Sequence, residues 1–136
     1  MEILRGCSNY RRARIGKYGQ SCINCEECSE GELRDRYYCP QDIPPGCGYC
    51  SVPSLFGPPK SREVNSIYSE IRELIRKGVH RIVFSAPGFL DYGRDLLVAP
   101  EPLTDPTEPE PNYELIEELL SKINSIREFK RRKASL

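Results

Sequence analysis

The stretch Cys39-Pro-Gln-Asp-Ile-Pro-Pro-Gly-Cys47-Gly-Tyr-Cys50-Ser-Val-Pro-Ser-Leu-Phe-Gly57 limits what this chain can fold into more than any other. Two cysteines separated by two residues, preceded by Pro-Pro-Gly and followed by Pro53 and Gly57, predict a curled loop rather than a regular helix or a central strand. Proline removes backbone donors and fixes φ, while glycine supplies dihedrals that other residues avoid. Such a curl turns both thiolates inward. Soft ligands converging on one point about 2.3 Å away are what a metal or cluster requires.

A second group of cysteines lies upstream. Cys22-Ile-Asn-Cys25-Glu-Glu-Cys28 contains two overlapping CxxC units, and Cys39 follows after ten further residues. CxxC places two thiolates on one side of a tight turn, so these four suit a four-thiolate site. A redox CxxC usually opens a helix next to a strand, and no clear strand adjoins this one. The N-terminus lacks the long apolar core of a secretory signal, and no apolar run approaches the ~20 residues needed to cross a bilayer. We therefore expect a cytoplasmic protein with no membrane partner. In that reducing compartment cysteines serve as metal ligands or catalytic thiols more naturally than as disulfides, and the odd total of seven argues against complete pairing.

Twenty basic and twenty acidic side chains give zero formal charge, so no global field draws the chain onto nucleic acid. Two local basic segments remain. Arg11, Arg12, Arg14 and Lys17 lie beside Tyr10 and Tyr18, a mixture able to grip RNA by phosphate pairing and base stacking, although a solvated loop is the plainer reading. Lys130 to Lys133 read as a solvated helix end.

The 136 residues suffice for one modest domain. Glu2 to Gly6 read as a short strand. A helix is expected from an N-cap at Ser61, with Glu63 in its first turn and Arg76-Lys77-Gly78 at its end. Val64, Ile67, Tyr68, Ile71, Leu74 and Ile75 make its apolar stripe. Val79 to Ala86 read as a buried strand, so strand, cysteine loop, helix and strand form a βαβ-type unit with a parallel pair and a right-handed crossover. His80, the only histidine, suits a surface or packing role. The strand exits into Pro87-Gly88, with Asp91 and Tyr92 beyond, at the carboxyl end where α/β proteins place ligands. Residues 100 to 111, with five prolines and four acids, read as an irregular loop or linker. Asn112 is expected to cap a last helix over 112–133, apolar at Leu115, Ile116, Leu119, Leu120, Ile123 and Ile126.

Arg5-Gly6-Cys7 at a strand end, Gly46-Cys47-Gly-Tyr-Cys50-Ser-Val-Pro53, Gly57, a helix opening at Ser61-Arg-Glu, and Gly78-Val-His-Arg-Ile-Val-Phe-Ser85 together resemble the start of a radical S-adenosylmethionine enzyme. The resemblance covers residues 1 to about 125. It implies an α/β fold, a partial (β/α) barrel with a cysteine-rich metal-binding insertion: insertion 8–46, cluster loop, helix and strand 47–98, Pro-rich acidic loop 99–111, and helix 112–133. It also implies a [4Fe–4S] cluster bound by three cysteines, with S-adenosylmethionine on the fourth iron. One-electron cleavage then yields a radical that abstracts hydrogen from the substrate. Tyr49, just before the last cysteine, would pack near the adenine, and the loop containing Ser85, Pro87 and Gly88 would meet the methionine amino group.

The family has three residues between its first two cysteines. Here seven separate Cys39 from Cys47 and thirty-nine separate Cys7 from Cys47. Two assignments follow. In the first, Cys7, Cys47 and Cys50 hold the cluster, while Cys22, Cys25, Cys28 and Cys39 bind a separate zinc or iron. In the second, Cys39, Cys47 and Cys50 hold it, and Cys7 joins Cys22, Cys25 and Cys28. The first is preferred because Arg-Gly-Cys at a strand end matches the family better. The family's barrel needs about six βα units, on the ~200-residue scale of such barrels, and two are legible here. The chain thus reads as an enzyme, or part of one completed by a second polypeptide, performing radical modification, of the methylthiolating type among others, on an RNA, protein or small molecule. The rivals are a non-catalytic zinc-binding module contacting RNA through Arg11–Lys17 or Lys130–Lys133, and an iron–sulfur electron carrier.

Overall fold

The computed structural model describes residues 1–12, 22–23 and 25–136. Its regular elements in chain order are β1 (Leu4–Arg5), α1 (Glu26–Ser29), α2 (Val52–Phe56), β2 (Lys60–Ser61), α3 (Val64–Arg76), α4 (Arg94–Val98), α5 (Tyr113–Asn124) and α6 (Arg127–Lys130). The core lies where α3 packs on α5. Val64, Ile67 and Ile71 of α3 meet Ile116, Leu119 and Ile123 of α5, with Ile3, Leu4, Ile82 and Tyr92 closing the cluster. Each such aliphatic side chain contributes about 1.5–3 kcal/mol by leaving water. Both stripes run at the expected helical spacing, and Asn112 caps α5 as expected: its Oδ1 accepts from the Leu115 amide at 3.1 Å.

The start of α3 differs from the sequence reading. Its N-cap is Glu63, and Ser61 sits in β2, which pairs antiparallel with β1. Asp95 explains the shift. It accepts from the Ser61 amide at 2.9 Å and from the Ser61 hydroxyl at 2.5 Å, and Ser61 Oγ in turn accepts from the Gly93 amide at 2.8 Å, so the oxygen that would have capped the helix is already committed. The strand expected over 79–86 is also reduced. It makes isolated parallel bridges, Glu2 with Ser85 and Arg81 with Ser135, rather than a ladder. Ile82 is buried while Val83 is 63% exposed, so the segment is half-buried rather than buried on both faces. His80 is exposed, and its carbonyl accepts from the Ser135 amide.

The last helix does not run through 112–133. It ends at Asn124, where the Ser125 hydroxyl donates to the Lys122 carbonyl at 2.6 Å and competes with the helical ladder. Ile126 turns extended and buries its side chain, α6 follows, and the chain returns so that the Ile82 amide donates to the Ser135 carbonyl. Lys130 to Lys133 stay exposed, as expected of a solvated end.

The Pro-rich segment is irregular, as its composition predicts, but it is not a free linker. Leu103, Thr104 and Asp105 are buried. The cysteine-rich insertion is fastened to it: Thr104 Oγ1 donates to the Leu33 carbonyl at 2.6 Å, Arg34 pairs with Glu101 at 2.8 Å, and Arg36 pairs with Asp105. Burial alone would raise the Asp105 carboxyl. The Thr107 hydroxyl and amide, Arg36 and the Glu108 amide outweigh it and hold the group well below the usual carboxylate range. A depressed folded value stabilises the fold above the unfolded carboxyl's range, about pH 4, and that contribution fades as pH falls further. We therefore expect the insertion to loosen below about pH 4. Asp105→Asn should loosen it at neutral pH by roughly 2–3 kcal/mol and flatten that acid dependence. Limited proteolysis within residues 25–39 across pH reads both effects.

Candidate metal centre

Cys7 is held by the backbone on either side of it. Gly6 adopts φ +90°, and the Cys7 amide donates to the Gly57 carbonyl at 3.1 Å. This ties the end of β1 to the far end of the cysteine loop. Within that loop Gly46 and Gly48 adopt φ +110° and +82°, which produces the expected curl. The curl stops sooner than the sequence reading has it. Residues 52 to 56 form α2 immediately after Cys50, because Pro53 falls in its first turn, where a missing N–H costs nothing. Gly57, at φ +74°, then closes that helix.

Cys7 is half-buried, whereas Cys47 and Cys50 are exposed. Burial pushes the Cys7 thiol up. The Asn9 amide, donating to Cys7 Sγ at 3.4 Å, works against that rise, and Asp91, Cys50 and Cys47 add to it. Cys39 sits in the insertion, where its carbonyl accepts from the Asp42 amide. Among the described residues no three His, Cys, Asp or Glu side chains already close around a point for a metal ion. Three thiols, two on an exposed glycine-hinged loop and one anchored to a strand end, suit a cluster by their donor chemistry.

The residues expected to meet the cofactor are partly gathered. Ser85 and Pro87 share a shallow cleft of ≈ 260 Å³ with Gly6, Val52 and Phe56. Gly88 opens the turn that follows, and its carbonyl accepts from the Asp91 amide. Tyr49 points away, 94% exposed. Tyr92 is structural: it is fully buried, its hydroxyl donates to the Arg62 carbonyl at 2.8 Å, and burial pushes its phenol up to about 12. Asp91 joins the site to the scaffold, accepting from Ser8 Oγ at 2.9 Å and from Arg94 Nη1 at 2.5 Å. Sequence reasoning missed Ser8 and Arg94, since nothing in their spacing marks them.

The basic loop is corrected as well. Tyr10 and Arg12 are buried, so neither is presented to RNA. Arg11 is exposed, and Arg14, Lys17 and Tyr18 lie outside the described residues. Among the described residues no helix is long and apolar enough to cross a membrane.

No family model matches the chain, and no solved structure does. An uncharacterized protein of Methanopyrus kandleri is 50% identical over 121 residues, covering 88% of this chain and 22% of its own length. Another from Methanocaldococcus jannaschii is 47% identical over 128 residues, covering 93% and 23%. The chain thus spans about a fifth of the length of these relatives. Ribosomal protein uS12 methylthiotransferase RimO of Herpetosiphon aurantiacus is 46% identical over 50 residues, 37% of this chain and 11% of that enzyme. Part of this chain is similar to methylthiotransferases. The same enzyme of Pseudothermotoga lettingae is 36% identical over 80 residues, or 59% of the chain, so the likeness is confined to part of the molecule.

Proposed function

We propose that these 136 residues are the cluster-binding part of a radical S-adenosylmethionine enzyme of the methylthiolating type, in which Cys7, Cys47 and Cys50 hold three irons of a [4Fe–4S] cluster. The observation that carries this reading is the hydrogen bond from the Cys7 amide to the Gly57 carbonyl at 3.1 Å, which ties the strand end bearing Cys7 to the loop bearing Cys47 and Cys50, and the partial likeness to methylthiotransferases supports it. It favours Cys7 over Cys39 as the third ligand. When bound, the cluster supplies one electron to the sulfonium of S-adenosylmethionine and so opens radical chemistry.

The chain's own residues bind and orient. The Gly57 carbonyl fixes the Cys7 amide, Gly46 and Gly48 set the curl that carries Cys47 and Cys50, and Ser85, Pro87 and Gly88 would line the side that receives the methionine end. Tyr49, exposed on the loop's curl, would pack near the adenine of the bound cofactor. A fold of this kind is the first part of a (β/α) barrel, supported by the parallel bridge of Glu2 with Ser85 on either side of α3. The remaining units come from outside these residues. Cys22, Cys25, Cys28 and Cys39 belong to a separate centre, and a reducing cytoplasm suits all seven thiols.

Anaerobic reconstitution with iron and sulfide, followed by electron paramagnetic resonance, tests this. The reduced-cluster signal should shift when S-adenosylmethionine is added. One or two zinc ions per chain, with no iron taken up, would replace this reading with the zinc-binding interaction module.

A further inference from the structure

We infer that Arg12 is the charge partner of a second metal centre, a four-thiolate site formed by Cys22, Cys25, Cys28 and Cys39. Arg12 is only 6% exposed. Its Nε donates to the Ile43 carbonyl at 3.1 Å, and its Nη2 donates to that of Tyr37 at 3.3 Å. Nη1 donates to the carbonyls of Tyr10 at 3.1 Å and Arg36 at 2.6 Å, and to Cys28 Sγ at 3.2 Å. The four carbonyls satisfy hydrogen bonds, but being neutral they leave the charge uncompensated.

A buried cation without a counter-charge costs several kcal/mol. Among the described residues no carboxylate forms an ion pair with Arg12. Residues 13–21 and 24 contain neither Asp nor Glu, so none is hidden there. Among the described residues, the one side chain that Arg12 meets with its guanidinium hydrogen bonds is Cys28, through its sulfur. A metal-bound thiolate supplies the counter-charge permanently.

The same guanidinium links Cys28 to the backbone just before Cys39, although the four thiols do not yet close around a point. Cys25 is the N-cap of α1, and the Cys28 amide donates to the Cys25 carbonyl at 3.2 Å, so both lie within one turn. Cys22 and Cys28 are buried, as ligands of a closed site are. Arg12 joins Cys28 to the carbonyls of Arg36 and Tyr37, and Cys39 follows two residues later. Four thiolates around Zn²⁺, or around a [4Fe–4S]²⁺ core, carry a net charge of −2 in either case. A monocation donating to one sulfur stabilises that dianion, as partners outside the coordination sphere commonly do.

This centre shares no ligand with the one proposed for radical chemistry, so the two are tested apart. The chain with Cys47→Ala and Cys50→Ala is prepared without oxygen and loaded with zinc alone or, in a second aliquot, with iron plus sulfide. One zinc, or four irons with four sulfides, should be retained and then lost on adding Cys28→Ala. In competition with a chromogenic chelator, Arg12→Gln should weaken metal binding about 10–100-fold. Arg12→Lys, which keeps the charge but not the fork of carbonyl bonds, should stay closer to the parent. Circular dichroism of α3 and α5, which pack away from Arg12, checks that each variant is folded. Failure of the double variant to retain metal in either form would overturn the inference. So would parent-like affinity in Arg12→Gln, or equal loss in Arg12→Gln and Arg12→Lys, since the latter assigns Arg12 to backbone bonding alone.

Discussion

Cys7→Ala will remove the S-adenosylmethionine-responsive cluster as completely as Cys47→Ala or Cys50→Ala, and Cys39→Ala will leave it in place. Three thiolates are the minimum that holds a cubane with one iron open to a cofactor, so loss of any one is a loss of the whole rather than a fractional weakening. The two candidates differ in position. Cys7 is fastened to the cluster loop by the hydrogen bond from its amide to the Gly57 carbonyl. Cys39 lies in the insertion that Arg36 and Thr104 hold against the Pro-rich segment. Iron and sulfide content and the paramagnetic signal with S-adenosylmethionine, recorded for the four single variants, check this. Retention of the signal in Cys7→Ala together with its loss in Cys39→Ala would reverse the ligand assignment.

Gly6→Ala will unfold the site from its backbone outward, with a cost of about 3 kcal/mol or more and no cluster retained. Gly6 sits at φ +90°, and a Cβ there would stand 2.2 Å from the Pro58 carbonyl oxygen and 2.7 Å from that of Gly57. Both obstacles are backbone, so no side chain can rotate away. The Gly57 carbonyl is also the acceptor for Cys7, hence relief of the clash moves the proposed ligand. Gly78→Ala is the control. It has a similar φ of +88° with nothing within 4 Å of a new Cβ, so it should cost only the left-handed strain of about 1–2 kcal/mol and keep its iron. Urea unfolding and iron analysis of the two variants separate strain from collision. Equal losses in both would refute the steric account.

The parts of this molecule that local chemistry dictates were legible in the chain. The stripes of α3 and α5 follow from apolar residues at helical spacing, and the Asn112 cap from a short acceptor at a helix start. The glycine-hinged curl around Cys47 follows in the same way. Errors arose wherever a partner distant in sequence intervened. Asp95 and the Gly93 amide took the Ser61 hydroxyl and delayed α3. Ile126 turned into the core and broke the last helix. The insertion buried the centre of a segment whose composition reads as linker.

The same division runs through the site. Seven cysteines, six of them in two spaced groups, in a chain without net charge, point to thiolate metal chemistry before any coordinate is known, because ligand identity and short-range spacing are properties of the sequence. Which cysteine joins Cys47 and Cys50 is a matter of distance across thirty-nine residues, and spacing alone left Cys7 and Cys39 both open. Arg12 and Arg11 are neighbours in sequence with the same charge; one is exposed, the other buried against Cys28 Sγ. Only the tertiary structure could separate them, since burial and a missing counter-ion depend on what the rest of the chain brings to the same place.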